Sequence, residues 1–359
     1  MTVGSTPVAD NARQRYLRLN GQRVALILVG LVVLVAIALW SATIGASGLG
    51  VPEITAGALH ALGWPLPDTM NAREATVVQQ LRLPRVVMAL LGGAALGVSG
   101  AVMQGVTRNP LVSPYTLGIS AAAAFGASLV IFFNPVLPDT WMVVASAFGC
   151  ALVCALVVFG TGLRAGTPPE TIILTGIALM YLFIAGTATL QFLASEEQLA
   201  AVVHWTFGSL ARAGWPSVAA MAIISLLVWP LLLSQSRQLD AIASGGDEYA
   251  RSLGVPVERT RFILCVAAVL LTSTVISFTG VIGFVGLVAP HMARLVIGGS
   301  HRFLLPLSAI LGAMLLLAAD ALGRVAFAPT ALPVGITVAY LGVPIFLHLI
   351  LRSRRNLTQ

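Results

Sequence analysis

Apolar runs bounded by charges and helix breakers divide this chain into ten candidate membrane spans, and no other feature constrains the fold as strongly. The runs cover residues 24–44, 86–106, 114–133, 141–163, 171–193, 216–233, 262–280, 282–297, 303–321 and 333–351. A helix needs about 20 apolar residues to cross the hydrocarbon core, so these spans leave only short connections and no sizeable soluble domain. Composition agrees: 58% of the 359 residues are hydrophobic and 9% are charged, against about 25% charged in a soluble domain. The fold class implied is an all-α membrane protein. Residues 24–355 form the spanning domain, residues 1–23 a cytoplasmic N-terminal tail and residues 356–359 a cytoplasmic C-terminal end. Residues 13–44 place four Arg ahead of an apolar run, as a signal peptide does. That run is longer than a signal peptide's apolar region and reads as an uncleaved first span.

All twenty cationic side chains are Arg; the chain has no Lys. This excludes a Walker-type phosphate loop, a Schiff-base enzyme and a protein kinase, each of which needs an amine. The chain therefore does not bind and hydrolyse ATP by itself. The pI is about 10.1, but the Arg residues stand at span ends, so the charge marks membrane topology and not nucleic-acid binding. With the N-terminus inside, fifteen Arg fall on cytoplasmic segments. Five fall outside: Arg73, Arg82, Arg85, Arg212 and Arg324. The bias supports an even number of spans with both termini in the cytoplasm. Cys150, Cys154 and Cys265 lie in apolar runs with no His or acid beside them and read as small buried residues. No metal site and no cofactor are expected.

Two regions interrupt the rhythm of spans: Arg108-Asn109-Pro110-Leu111-Val112-Ser113-Pro114, and Gly280 through His291. Non-helical backbone at membrane depth is tolerated only where it is buried in protein or lines a watery cavity. Broken segments in both halves of a chain point to a transport route; the alternative is two tight turns at the surface. Ionisable groups within spans are few. Asp320 and Arg324, four apart on one helix, can neutralise each other, and His291 reads as a packing residue. Gly93 and Gly97 form a small-xxx-small pair for close helix packing. Thr167-Pro168-Pro169-Glu170 reads as a capping box opening the fifth span.

The largest cytoplasmic loop covers residues 234–261. Within it Gly246-Asp247-Glu248-Tyr249-Ala250-Arg251-Ser252-Leu253-Gly254 reads as a short helix, with Asp247 at its N-cap, Glu248 paired with Arg251, and Gly254 as its stop. Two turns of helix are unstable alone, so this one docks either on its own bundle or in a groove of a cytosolic partner. Outside, the aromatics around Trp205 suit an interfacial helix. Arg82, Arg85 and Arg324 at the outer span ends either snorkel to headgroups or present charge to an acidic partner.

Several blocks together resemble one family. They are Leu81-Arg82-Leu83-Pro84-Arg85; Gly100 through Gly105 with Gln104; Arg108-Asn109-Pro110-Leu111 with Leu117-Gly118-Ile119-Ser120; and Gly246-Asp247-Glu248 with Arg251-Ser252-Leu253-Gly254. Gly283 through Val288 with Pro290-His291, Leu332-Pro333-Val334-Gly335, and Gly342-Val343-Pro344 complete the set. The chain resembles, over residues 24–355, permeases of bacterial ABC importers for iron–siderophore, haem or cobalamin (the FecCD family, with the type II importer fold).

The resemblance implies ten spans per subunit in the bacterial inner membrane. It also implies two permease copies, two cytosolic ABC ATPase subunits and a periplasmic substrate-binding protein. It assigns Asp247–Leu253 as the coupling helix in an ATPase groove, Arg82, Arg85 and Arg324 as contacts for the binding protein, and Gln104, Asn109, Pro110 and Leu111 to the translocation path near the cytoplasmic gate. The first choice of cargo is a ferric siderophore, with haem and cobalamin behind it. A secondary transporter would need unpaired acids at mid-membrane and an intramembrane enzyme a nucleophile or metal constellation; the sequence offers neither pattern.

Overall fold

The computed structural model describes residues 7–45, 48–61, 63–65, 70–134, 140–161, 169–328 and 330–355. Thr167 and Pro168 of the expected capping box, and the end at 356–359, lie outside them. The helices are α1 (Pro7–Thr43), α2 (Val51–Ala61), α3 (Ala72–Val77), α4 (Leu83–Thr107), α5 (Ile119–Phe133), α6 (Thr140–Thr161) and α7 (Pro169–Leu193). They continue with α8 (Glu196–Thr206), α9 (Trp215–Ser234), α10 (Ser236–Ser252), α11 (Val257–Thr279), α12 (Val285–Ile297), α13 (His301–Val325) and α14 (Val334–Arg355). No strand occurs among the described residues. Seven helical stretches are long and apolar enough to cross a membrane, and three shorter apolar ones run over Ile119–Phe133, Val285–Ile297 and Val334–Leu349.

Local chemistry explains where several elements begin. Asn71 and Glu74 bond each other's backbone N–H in a capping box that opens α3, and α3 then runs through a π turn at Val78–Arg82 into α4. The helix is thus continuous from Ala72 and starts well before the expected residue 86. Ser195 and Gln198 open α8, the expected interfacial helix, in the same reciprocal way. The third span starts at Ile119 and not at 114, because Ser113 and Thr116 close a turn on each other: the Ser113 N–H donates to Thr116 Oγ1 at 2.9 Å.

The centre of the bundle is α4, which lies against α11, α12 and α13. A Cβ added at Gly97 would stand 2.2 Å from the Ser308 carbonyl oxygen, and one at Gly312 would stand 2.2 Å from that of Gly93. The backbones of α4 and α13 therefore touch, and any side chain at this crossing would drive them apart. Burial falls steeply outward. The apolar stretches of Ala72–Thr107 and His301–Val325 are 78% buried, those of α1 and α7 only 11% and 17%. The last two helices thus present most of their apolar surface to whatever surrounds the chain.

Candidate translocation path, coupling loop and outer arginine cluster

The two interrupted regions meet. Ser113 from the first, with Tyr115 and Thr116 just after it, and Val281, Gly283 and Phe284 from the second, line one cavity of about 750 Å³. Phe207 closes it from the end of α8, and Tyr340 and Val343 from α14. The lining is apolar and hydroxyl-bearing; among the described residues it carries no carboxylate, imidazole, thiol or guanidinium. Phe284 enters α12 with φ +61°, a conformation costly for a bulky residue. Gly342 lets α14 pass close to the start of α12, since a Cβ there would stand 3.1 Å from that of Phe284.

The four residues assigned to the path sit behind or beside this wall. Gln104 is buried: its Nε2 donates to the Leu287 carbonyl at 3.3 Å, and its Oε1 accepts from Arg294 Nη2 at 3.3 Å. Leu287 lines the cavity, so Gln104 positions the wall without facing the space. Asn109 builds the turn after α4, accepting the Leu111 N–H on Oδ1 at 2.9 Å. Pro110 and Leu111 are exposed. None of the four lines the cavity, whose aromatics, Tyr115, Phe207, Phe284 and Tyr340, carried no separate signal beyond standing next to Gly and Pro breaks.

The loop helix is the second half of α10. Gly246 breaks α10 with φ +79° and ψ −174°, and a Cβ there would lie 2.6 Å from Arg108 Nη1. Only glycine meets both conditions. Asp247 opens the second half, where its carboxylate accepts two hydrogen bonds from Arg261 Nη2 at 2.7 and 2.9 Å. The expected Glu248–Arg251 pair is replaced: Arg251 Nη2 donates to Glu258 Oε1 at 2.6 Å, which holds its guanidinium above the ordinary value. The helix ends in a Schellman motif, with the Val255 N–H on the Ala250 carbonyl at 3.0 Å and the Gly254 N–H on that of Arg251 at 2.9 Å. Ala250 faces inward; Glu248, Tyr249, Arg251 and Leu253 face out, Tyr249 and Leu253 being 49% and 58% exposed.

The three outer Arg share one recess of about 250 Å³. Their guanidinium groups are engaged internally. Arg82, 8% exposed, donates to the Ala42 carbonyl at 2.7 Å and that of Thr43 at 3.2 Å. Arg85 grips Asp320 with Nε and Nη2, both on Oδ1, at 2.9 and 2.7 Å. Arg324 reaches Asp320 Oδ2 at 3.0 Å, the Ser41 carbonyl at 2.9 Å and the Ile44 carbonyl. The expected Asp320–Arg324 pair is present, and sequence spacing gave no sign of Arg85 as its third member. Together the three cations tie the end of α1 to α4 and α13.

Comparison with known proteins follows this geometry. The model of the FecCD transport family matches residues 26–352. The hemin transport system permease protein of Yersinia pestis is 36% identical over 343 residues, covering 94% of this chain and 99% of the relative. The cobalamin import system permease protein of Halobacterium salinarum is 38% identical, covering 86% and 80%. The iron(3+) dicitrate transport system permease protein of Escherichia coli is 40% identical, covering 77% and 86%. A solved inward-facing structure of a metal-chelate type ABC transporter superposes with a TM-score of 0.80 at 30% identity, covering 91% of this chain and 99% of that one. An all-helical fold, matched along nearly its whole length by the family model and by a solved structure, places the chain in the FecCD transport family.

Proposed function

We propose that this permease subunit of an ABC importer carries a ferric siderophore, ahead of haem or cobalamin, from periplasm to cytoplasm, on ATP hydrolysed by separate subunits. The observation that carries the cargo class is the chemistry of the cavity. Its walls offer aromatic faces and hydroxyls but, among the described residues, no carboxylate, imidazole or thiol to build a ligand set for a bare metal ion. Metal must therefore arrive wrapped in an organic shell, and weak apolar contacts let that cargo leave. The path works by alternating access between two identical copies of the chain. Support for a homodimer comes from the cavity's open flank, where Tyr340 is 71% exposed, and from the largely exposed apolar surface of α7. Seven long and three shorter apolar helices support ten spans, and the distribution of Arg supports cytoplasmic termini.

Two surfaces receive partners in this reading. The exposed face of Glu248, Tyr249, Arg251 and Leu253, between Gly246 and Gly254, seats in the ATPase. The recess of Arg82, Arg85 and Arg324, which holds three cations against the single carboxylate of Asp320, attracts acidic residues of the binding protein. Arg108 joins the coupling loop to the Asn109–Pro114 segment, since its guanidinium lies over Gly246. The reading is tested in proteoliposomes containing the permease, its ATPase and its binding protein, supplied in turn with a radiolabelled ferric siderophore, haem, cobalamin or the free metal ion. ATP-dependent uptake of the siderophore is expected. Uptake of the free ion alone overturns the cargo class, and uptake of haem or cobalamin alone reassigns the cargo.

A further inference from the structure

A second cavity is lined by a separate set of residues. About 490 Å³ in volume, it is bounded by Trp141 and Val144 of α6, Trp205 of α8, Phe278 of α11, and Arg212 in the segment between α8 and α9. A further recess of about 250 Å³ shares Trp141, Val144 and Phe278 with it and continues past Phe148, Ala220 and Ile224. Trp141, Val144 and Phe148 stand one turn apart on α6, so the combined groove runs along the helix axis for about 10 Å. Trp141 and Phe278 meet edge to face at 5.8 Å across it. The residues beside the groove are apolar and exposed: Met142 and Val153 on α6, and Ile223, Leu226 and Leu227 on α9. On a chain of this kind such a flank faces acyl chains.

The groove has one cationic end. Arg212 is exposed, and its Nη2 donates to the Thr279 carbonyl at a long 3.5 Å. It forms no ion pair among the described residues, unlike Arg85 and Arg324. It stands where α6 and α9 begin and α11 ends. Trp141, 55% exposed beside it, suits the interface between headgroups and hydrocarbon.

We propose that the groove between α6, α9 and α11 holds one acyl chain of an anionic phospholipid whose phosphate pairs with Arg212. The match is one of charge and shape together. A cation with no ion pair among the described residues sits at the mouth, aromatic walls follow it, and an apolar slot continues along the helices. An arginine fork suits phosphate geometry. The proposal stands apart from the translocation path, since none of these residues lines the first cavity.

The test uses the full chain in phosphatidylcholine nanodiscs doped with chain-labelled phosphatidylglycerol or chain-labelled phosphatidylcholine, reading the immobilised fraction by spin-label spectroscopy. Wild type is expected to prefer phosphatidylglycerol by about tenfold, the scale of one charge-assisted contact. Arg212→Gln is expected to abolish that preference while leaving some chain immobilised. Ala220→Leu, or the bulkier Ala220→Trp where it folds, is expected to reduce immobilisation of both lipids. The proposal fails if wild type shows no headgroup preference, or if Arg212→Gln leaves the preference intact. It also fails if millimolar inorganic phosphate displaces the labelled lipid, which would make the site one for a free anion, or if both groove variants retain wild-type immobilisation.

Discussion

Asp320 holds two guanidinium groups at once, and at 2% exposure it does so almost out of reach of water. A buried pair is weak evidence for net stability, but removing one partner strands the rest. Asp320→Asn leaves Arg85 and Arg324 as neighbouring uncompensated cations beneath Arg82. The expected cost is about 3–5 kcal/mol, read as a fall in the thermal unfolding midpoint of the purified permease, with Asp320→Glu retaining most of the stability. An unchanged midpoint would show that the carboxylate contributes little. The Asp320–Arg324 member of this cluster was legible in the sequence because helix periodicity fixes it. Arg85 was not, because its partner is 235 residues away and only the packing of α4 on α13 brings them together. Phe284 was equally hidden, since no local rule predicts a phenylalanine at positive φ.

The loop helix proposed to couple to the ATPase was the most legible of the elements. Its Gly246 start and Gly254 stop are written in backbone chemistry, and both glycines take φ near +80°. Its ion pairing was not legible: Arg251 prefers Glu258 across the Gly254–Pro256 turn to Glu248 on its own helix. Exposed Leu253 makes no core contact that would explain its place, which suits a residue seated in a partner's groove. Leu253→Asp is therefore expected to leave folding within about 0.5 kcal/mol of wild type, while uptake falls at least tenfold and ATPase co-purification weakens. Wild-type co-purification together with wild-type uptake would remove this helix from the ATPase interface.

At the scale of the molecule, the cavity reached by both interrupted segments opens on one flank, and a second copy related by a twofold axis would close it into a shared path. Tyr340→Cys, placed on that flank, is expected to form an intersubunit disulfide under mild oxidation in the assembled transporter, giving a dimer band that reductant removes. The native thiols interfere little, because Cys154 and Cys265 are buried and Cys150 is half-buried. A crosslink absent in the assembled transporter would place the twofold axis elsewhere. Sequence by itself determined the class of the protein. Apolar runs need no partner to declare a helix in lipid, the absence of Lys excludes a motor, and clustered Gly and Pro mark where the helices break. Tertiary structure decided what those breaks enclose, which acid answers which arginine, and that Gln104 holds the cavity wall from behind. Spacing along a chain fixes contacts within one helix, whereas contacts between helices follow from how ridges, glycine notches and buried charges pack, and those belong to residues far apart in sequence.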